Sequence, residues 1–191
     1  MKDIYKVEEE ALSVEIMDFI VQWHYSKSYR SLKQKHVFTL RTHDNTLVGV
    51  AIYGQPMGTN VDNDKYIELR RFCLIDNTQK NTESFFLGKT LRLLKELDTP
   101  PYVLSYTDPN VGHNGTIYKA SNFVFTGAEK TPNPRVLLLD DGKKVHIRQL
   151  YAKLNGEYTK AAIKFQELIK EGKAKVIKQK HKLRFEYQLR R

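Results

Sequence analysis

SYTDPNVGHNGTIYKASNF, residues 105–123, decides how this chain is read. It leaves a β-rich run (PYVLSY, 101–106), crosses a polar turn containing glycine, and enters a short helix expected over 114–121. An acid (Asp108), a histidine (His113), two glycines (Gly112, Gly115) and a phenol (Tyr118) fall within one turn and one helix of each other. Packing alone does not collect so many polar groups, whereas a site at the carboxyl end of a strand does. Asp108 precedes Pro109, which biases its backbone to extended geometry. Its carboxylate suits a base, an anchor for a substrate amine or a metal ligand, and equally the cap of an Asx-type turn. Tyr118 suits the protonation of a leaving thiolate or alkoxide, or the core face of the helix. Asn122 stands at the helix end, where a left-handed residue is needed.

Outward from this segment, helices and strands alternate. ALSVEIMDFIVQW (11–23) has helical apolar spacing, with Ser13 as a cap. HVFTLRT (36–42) and TLVGVAIY (46–53) form a hairpin around His43-Asp44-Asn45. IELRRFCLI (67–75) reads as a strand, and ESFFLGKTLRLLKEL (83–97) as a helix capped by Thr82 and stopped by Pro100-Pro101. Further strands are expected at 122–128, 135–139 and 183–189, and two helices at 146–154 and 159–171. The class is therefore α/β (α+β), a mixed central sheet flanked by helices, with a basic helical hairpin inserted before the last strand. Residues 1–140 form the expected core, and 141–191 the hairpin plus final strand.

The chain has 191 residues and a formal net charge of +10, which draws it to polyanions such as DNA or a phosphorylated cofactor. The cations crowd the last fifty residues or so, where a solubilising face is the alternative to nucleic-acid contact. Its one cysteine, Cys73, rules out an intrachain disulfide, fits a reducing cytoplasm and reads as a buried small hydrophobe. No long apolar span or signal-like N-terminus is present, so a soluble protein is expected, without membrane contact.

Two other stretches carry candidate chemistry. In the loop after the strand at 67–75, Lys80, Asn81, Thr82 and Ser84 lead into a helix N-terminus whose free N–H groups can cradle phosphate. It lacks the glycines of a Walker or Rossmann loop, which argues against ATP and NAD. In WHYSK (23–27), His24 suits a base or metal ligand, and Trp23, Tyr25 and Tyr29 suit stacking on a nucleobase, with Lys27 and Arg30 as cations beside them. His24, Asp108 and His113 match no compact metal-ligand spacing.

Tyr118 to Phe123 resembles the Tyr-x-x-x-Gly-Phe element of the GNAT acyltransferase superfamily, with Asn122 in the glycine's place. Residues 67–88 resemble its acyl-CoA pyrophosphate site, with Gln79 to Ser84 occupying the glycine-rich element without glycines. More specifically, HYS (24–26), ELRRFCL (68–74), KNTESFFLGKTLRLLK (80–95) and SYTDPNVGHNGTIYKASNFVFTG (105–127) resemble the phage Mom family of DNA-modification proteins. That resemblance implies a GNAT-like enzyme converting adenine in phage DNA to a bulky N6 derivative, an anti-restriction role. It implies functions for His24, Tyr25, Arg70 or Arg71, Asp108 and Tyr118, acetyl-CoA or a related acyl-CoA as donor, and iron beside or instead of it, with His24 and Asp108 as ligands. The expected partner is double-stranded DNA, met in the host cytoplasm and contacted also by Arg30 and His113, with the target base flipped into a pocket between Trp23–Tyr29 and the 105–118 loop. The rival readings are an N-acetyltransferase of a protein or small amine, and a non-enzymatic phage protein that binds DNA.

Overall fold

The computed structural model describes residues 1, 3–29, 33–58, 60–128, 135–146 and 157–190. They divide into two units: Met1–Thr107 with His113–Gly127 and Leu183–Arg191, and Asp108–Gly112 with Ala128–Lys182.

The larger unit is built on a seven-stranded sheet. Its strands are β1 (Tyr5–Glu9), β2 (Gln34–Thr42), β3 (Leu47–Gly54), β4 (Tyr66–Leu74), β5 (Tyr102–Thr107), β6 (Val124–Ala128) and β10 (Leu183–Gln188). The spatial order is β1-β2-β3-β4-β5-β10-β6. From β1 to β4 each strand is antiparallel to its neighbour, β4 and β5 run parallel, and β10 is antiparallel to β5.

Helices cover both faces. On α1 (Val14–Trp23) the Ser13 hydroxyl accepts from the Ile16 N–H at 3.3 Å, as the sequence predicts. α1 buries Ile16, Phe19 and Ile20 against Val37, Leu47, Val50, Ile52 and Cys73. Each such side chain is worth about 1.5–3 kcal/mol of transfer free energy. α2 (Thr82–Glu96) covers the other face with Phe86, Leu87, Leu91 and Leu94. The expected Thr82 cap is corrected: Asn81 is the cap residue, left-handed at φ +69°, and makes no side-chain cap bond, while Thr82 is already helical and buried. Arg190 closes the far end of α2, its guanidinium donating to the carbonyls of Thr99 at 2.7 Å, Lys95 at 3.0 Å and Leu97. Arg41, almost fully buried, bridges Glu10 and Glu15 at 2.7 Å each and ties the first strand's exit to α1.

The smaller unit holds β7 (Arg135–Leu139), β8 (Lys144–His146) and β9 (Ala174–Lys178) in the antiparallel order β8-β7-β9. Helix α4 (Tyr158–Lys170) packs Phe165 onto Leu137 and Ala174. Of the expected hairpin, the second helix is α4. The first, at 146–154, begins on the last residue of β8 and otherwise lies outside the described residues. Three short strands, β1, β8 and β9, were not expected from the sequence.

Candidate active site at the parting of two parallel strands

β4 and β5 pair only from Tyr66↔Tyr102 to Glu68↔Leu104. Beyond that point β4 runs on to Leu74 and β5 to Thr107, so the two strands separate at their carboxyl ends. In open mixed sheets such a crevice is where ligands enter.

A β-bulge in β4 decides which side chains line it. Tyr53 opposes Leu69 but Ile52 opposes Arg71, leaving Arg70 as the extra residue. Ile67 and Leu69 pack on the α2 side, and past the bulge Phe72 and Leu74 do so. The parity switch sends Arg71, with Cys73, to the α1 side. There the Arg71 Nε donates to the Ser28 carbonyl at 2.9 Å and its Nη1 to the Arg70 carbonyl at 2.7 Å. Arg70 donates to the Gln55 carbonyl at 2.7 Å and lies 3.5 Å from the Glu68 carboxylate. Burial lowers both guanidinium pKa values. These are the arginines that sequence reasoning put on a cofactor, and the partners they have here are main-chain carbonyls around the crevice and the Glu68 carboxylate.

His24 follows α1 and is 6% exposed. Its Nδ1 accepts from the Ser26 N–H at 3.1 Å and lies 2.8 Å from the Ser26 hydroxyl. Nδ1 therefore carries a lone pair, and the proton of the neutral ring sits on Nε2. Burial, then the positive charge of Arg71, pushes the imidazole down to about 3. His24 is thus a neutral hydrogen-bond donor at physiological pH rather than a base. Its ring lies 4.4 Å from that of Tyr25, which meets His113 edge-on at 5.1 Å. The structure so joins His24, Tyr25 and His113 in one aromatic row beside Arg71.

The pKa shift of His24 has a measurable consequence. An unfolded histidine titrates near 6.5, so the unfolded chain takes up a proton at a higher pH than the folded one. Its stability contribution is complete above pH 6.5 and is lost as pH falls toward 3, with a loss on the order of 2 kcal/mol by pH 5. Urea unfolding at pH 7.5 and 5 should show this slope in the native protein and a flatter one in His24→Gln. Equal slopes would show that His24 titrates normally.

Tyr118 lies on α3 (Thr116–Ala120), whose first turn is set by Gly115 at φ +80°. The phenol is 8% exposed, between Phe123 at 5.3 Å and Phe185 at 5.4 Å. Burial pushes it up to about 12, Ser105 pulls the other way, and Tyr25 and Glu68 add to the rise. Tyr118 therefore holds its proton at neutral pH. Ser105, fully buried just past the end of the β4–β5 pairing, approaches the phenol but makes no hydrogen bond of normal geometry. Asn122 takes φ +63°, as its place at the helix end predicts.

The remaining candidates divide. Trp23 packs on Phe19 at 6.3 Å and with the α1 core, so it is a core residue more than a stacking platform. Lys27 turns back to the Gln22 carbonyl. Tyr25 and Tyr29 are exposed. Arg30 lies outside the described residues. Asp108 begins the smaller unit, and its Oδ1 accepts from the Asn110 N–H at 2.9 Å and the Asn110 side-chain amide at 2.8 Å, which makes it the cap of an Asx-type turn. At the start of α2, Lys80 is exposed, the Ser84 hydroxyl donates to the Asn81 carbonyl at 3.1 Å, and the buried Thr82 hydroxyl has no partner among the described residues. Cys73 is buried, its thiol pushed up to about 12, which suits packing and not nucleophilic attack.

The iron expectation does not fit these side chains. No group of three His, Cys, Asp or Glu with metal-binding geometry occurs among the described residues, so His24 and Asp108 find no third ligand there. Glu68, Ser105 and Ser26 are additions to the site. Glu68 and Ser105 sit in strand runs that read as packing, and only the pairing of β4 with β5 shows them at the crevice.

A model of the Mom protein family matches residues 9–191. The chain belongs to the Mom protein family. It is 30% identical over 132 residues to the methylcarbamoylase Mom of Escherichia phage Mu, a match covering 64% of this chain and 54% of that protein. It therefore spans about half the length of that relative. Among solved structures it resembles a Bacillus subtilis acetyltransferase in complex with CoA (12% identity, TM-score 0.55, covering 96% of this chain and 98% of that one). It also resembles the Escherichia coli ribosomal-protein-S18-alanine N-acetyltransferase (10% identity, TM-score 0.55, covering 98% and 96%). The expected GNAT-like mixed sheet is thus the fold of this Mom family member. No described helix is long and apolar enough to cross a membrane.

Proposed function

We propose that this Mom family protein transfers an acyl-type group from a CoA thioester to the N6 amine of adenine in double-stranded DNA. The reaction would take place in the host cytoplasm and shield phage DNA from restriction. One observation carries the reading: the family match spans residues 9–191, and within it two parallel strands part beside a protonated, buried phenol and a neutral imidazole. The name of the phage Mu relative supports a carbamoyl-type group, and the CoA held by the Bacillus subtilis structure supports the donor class.

The start of α2 suits the donor's phosphates in part. Its first-turn amides have no side-chain cap and Asn81 supplies the left-handed turn, although Glu83 opposes an anion there. A thioester supplies an activated carbonyl with a sulfur leaving group. Tyr25 and His113 receive the flipped base on their ring faces, and this stacking offsets the unstacking cost of about a few kcal/mol. His24 offers its neutral N–H to the oxygen that gains charge. As the bond from N6 to the acyl carbon forms and the carbon–sulfur bond breaks, Tyr118 gives its proton to the sulfur. The amine loses its proton to water, and water later restores the phenol.

The test is mass spectrometry of nucleosides from plasmid DNA of cells expressing the protein. The expected result is an adenosine species of increased mass. Unmodified DNA together with acetylation of a peptide or small amine by the same preparation would replace this reading with that of an N-acetyltransferase.

A further inference from the structure

Some described lysines of the smaller unit are paired and others are not. On and beside α4, Lys160, Lys164 and Lys173 are paired with Glu157, Glu167 and Glu171 at 2.8, 3.2 and 2.7 Å. Lys175 on β9, and Lys178, Lys180 and Lys182 at its end and in the segment after it, are exposed and have no ion pair among the described residues. Lys143, Lys144 and Lys170 are also exposed without an ion pair among the described residues, so four of the seven such lysines of this unit lie on β9 and in the segment after it.

That segment is also fixed. The Lys180 N–H donates to Asn110 Oδ1 at 2.8 Å, and the Asn110 side-chain amide donates back to the Lys180 carbonyl at 2.9 Å. Asp108 Oδ1 holds the same amide group at 2.8 Å, so it cannot turn away. Seventy residues separate the two ends of this clasp. A solubilising run needs no fixed main chain, whereas this clasp fixes that of Lys180 at the cost of backbone entropy. Asp108 follows Thr107, the last residue of β5, and Lys182 precedes Leu183, the residue of β10 paired with Thr107. The basic segment thus leads directly into β10 along the chain.

We propose that Lys178, Lys180 and Lys182 bind the phosphate backbone of duplex DNA, and that Asn110, oriented by Asp108, is the residue that positions them. The proposal rests on DNA being the substrate. It gives Asp108 a positioning task in place of a chemical one. The contacts are to phosphate, so they set affinity and not sequence preference.

The test is fluorescence anisotropy with a labelled duplex across a salt series, alongside the nucleoside assay. Lys178→Gln/Lys180→Gln/Lys182→Gln should bind about tenfold or more weakly at 0.1 M salt and flatten the log–log salt slope by about 2 to 3. Asn110→Ala, which keeps every charge, should weaken binding several-fold. Lys160→Gln/Lys164→Gln/Lys173→Gln, with the same change in net charge, should bind as the native protein does. An equal loss in the two triple variants, an unchanged slope in the first, or native affinity in Asn110→Ala would overturn the proposal. Modified adenine with unaltered binding by the first triple variant would sink this inference and leave the enzymatic reading standing. Binding lost as expected, without any modified base from the native protein, would do the reverse.

Discussion

Replacing Tyr118 by Phe should lower the rate of base modification by about 100- to 10,000-fold while the protein stays folded. The aromatic ring keeps its contacts with Phe123 and Phe185, so packing changes little. What is lost is one proton, held at neutral pH by burial that pushes the phenol up to about 12. The rate should be read under saturating donor and DNA, beside a thermal melt. A melt within a few degrees of native and a rate loss in kcat rather than KM would place the phenol in the chemical step. A rate near that of the native protein would remove Tyr118 from the chemistry and leave it a packing residue.

Gly115→Ala should have the largest effect on stability. A Cβ there would lie 2.2 Å from Phe185 Cζ and 2.6 Å from Cε2, and the residue sits at φ +80°. Neither atom can yield easily, because Phe185 is fully buried in the main core. Left-handed strain and overpacking each cost about 1–3 kcal/mol, so a loss of about 2–5 kcal/mol in urea unfolding is expected. Modification should fall with it, since the helix that Gly115 starts is the one carrying Tyr118. Gly112→Ala is the control: its φ is +85°, but the added Cβ would meet nothing within 4 Å. It should cost only about 1 kcal/mol. Equal stability of the two variants would contradict the close approach of α3 to Phe185.

Elements with a strong period were legible before the structure. Ile16, Phe19 and Ile20 repeat at helical spacing, and the hairpin of β2 and β3 announces itself through His43-Asp44-Asn45. Two of the strands that were missed, β1 and β9, are rich in charge because each lies at the edge of a sheet. YKVEE and AKVIK therefore look like solvated chain. The start of α2 was misread for a different reason. Thr82 is a good cap by residue type, but Asn81 tolerates the left-handed turn that the loop requires.

The site was legible as a set of residues and not as a geometry. His24, Tyr25, His113 and Tyr118 stand out as polar or aromatic groups in loops and a short helix. The β-bulge at Arg70 does not, since it exists only in the pairing with β3, and it alone determines that Arg71 faces the loop after α1. The same limit applies to His24. Its residue type allows base, donor or ligand, and the Ser26 N–H selects the donor. Asp108 had a turn cap among its sequence readings, and its bonds to Asn110 are those of a cap.

The most direct test compares adenine nucleosides from DNA exposed to the native protein and to Tyr118→Phe, by mass spectrometry of complete digests. The account predicts a heavier adenosine with the first and little or none with the second. Unaltered adenosine from the native protein, or the same heavier species in full amount from the variant, would contradict it.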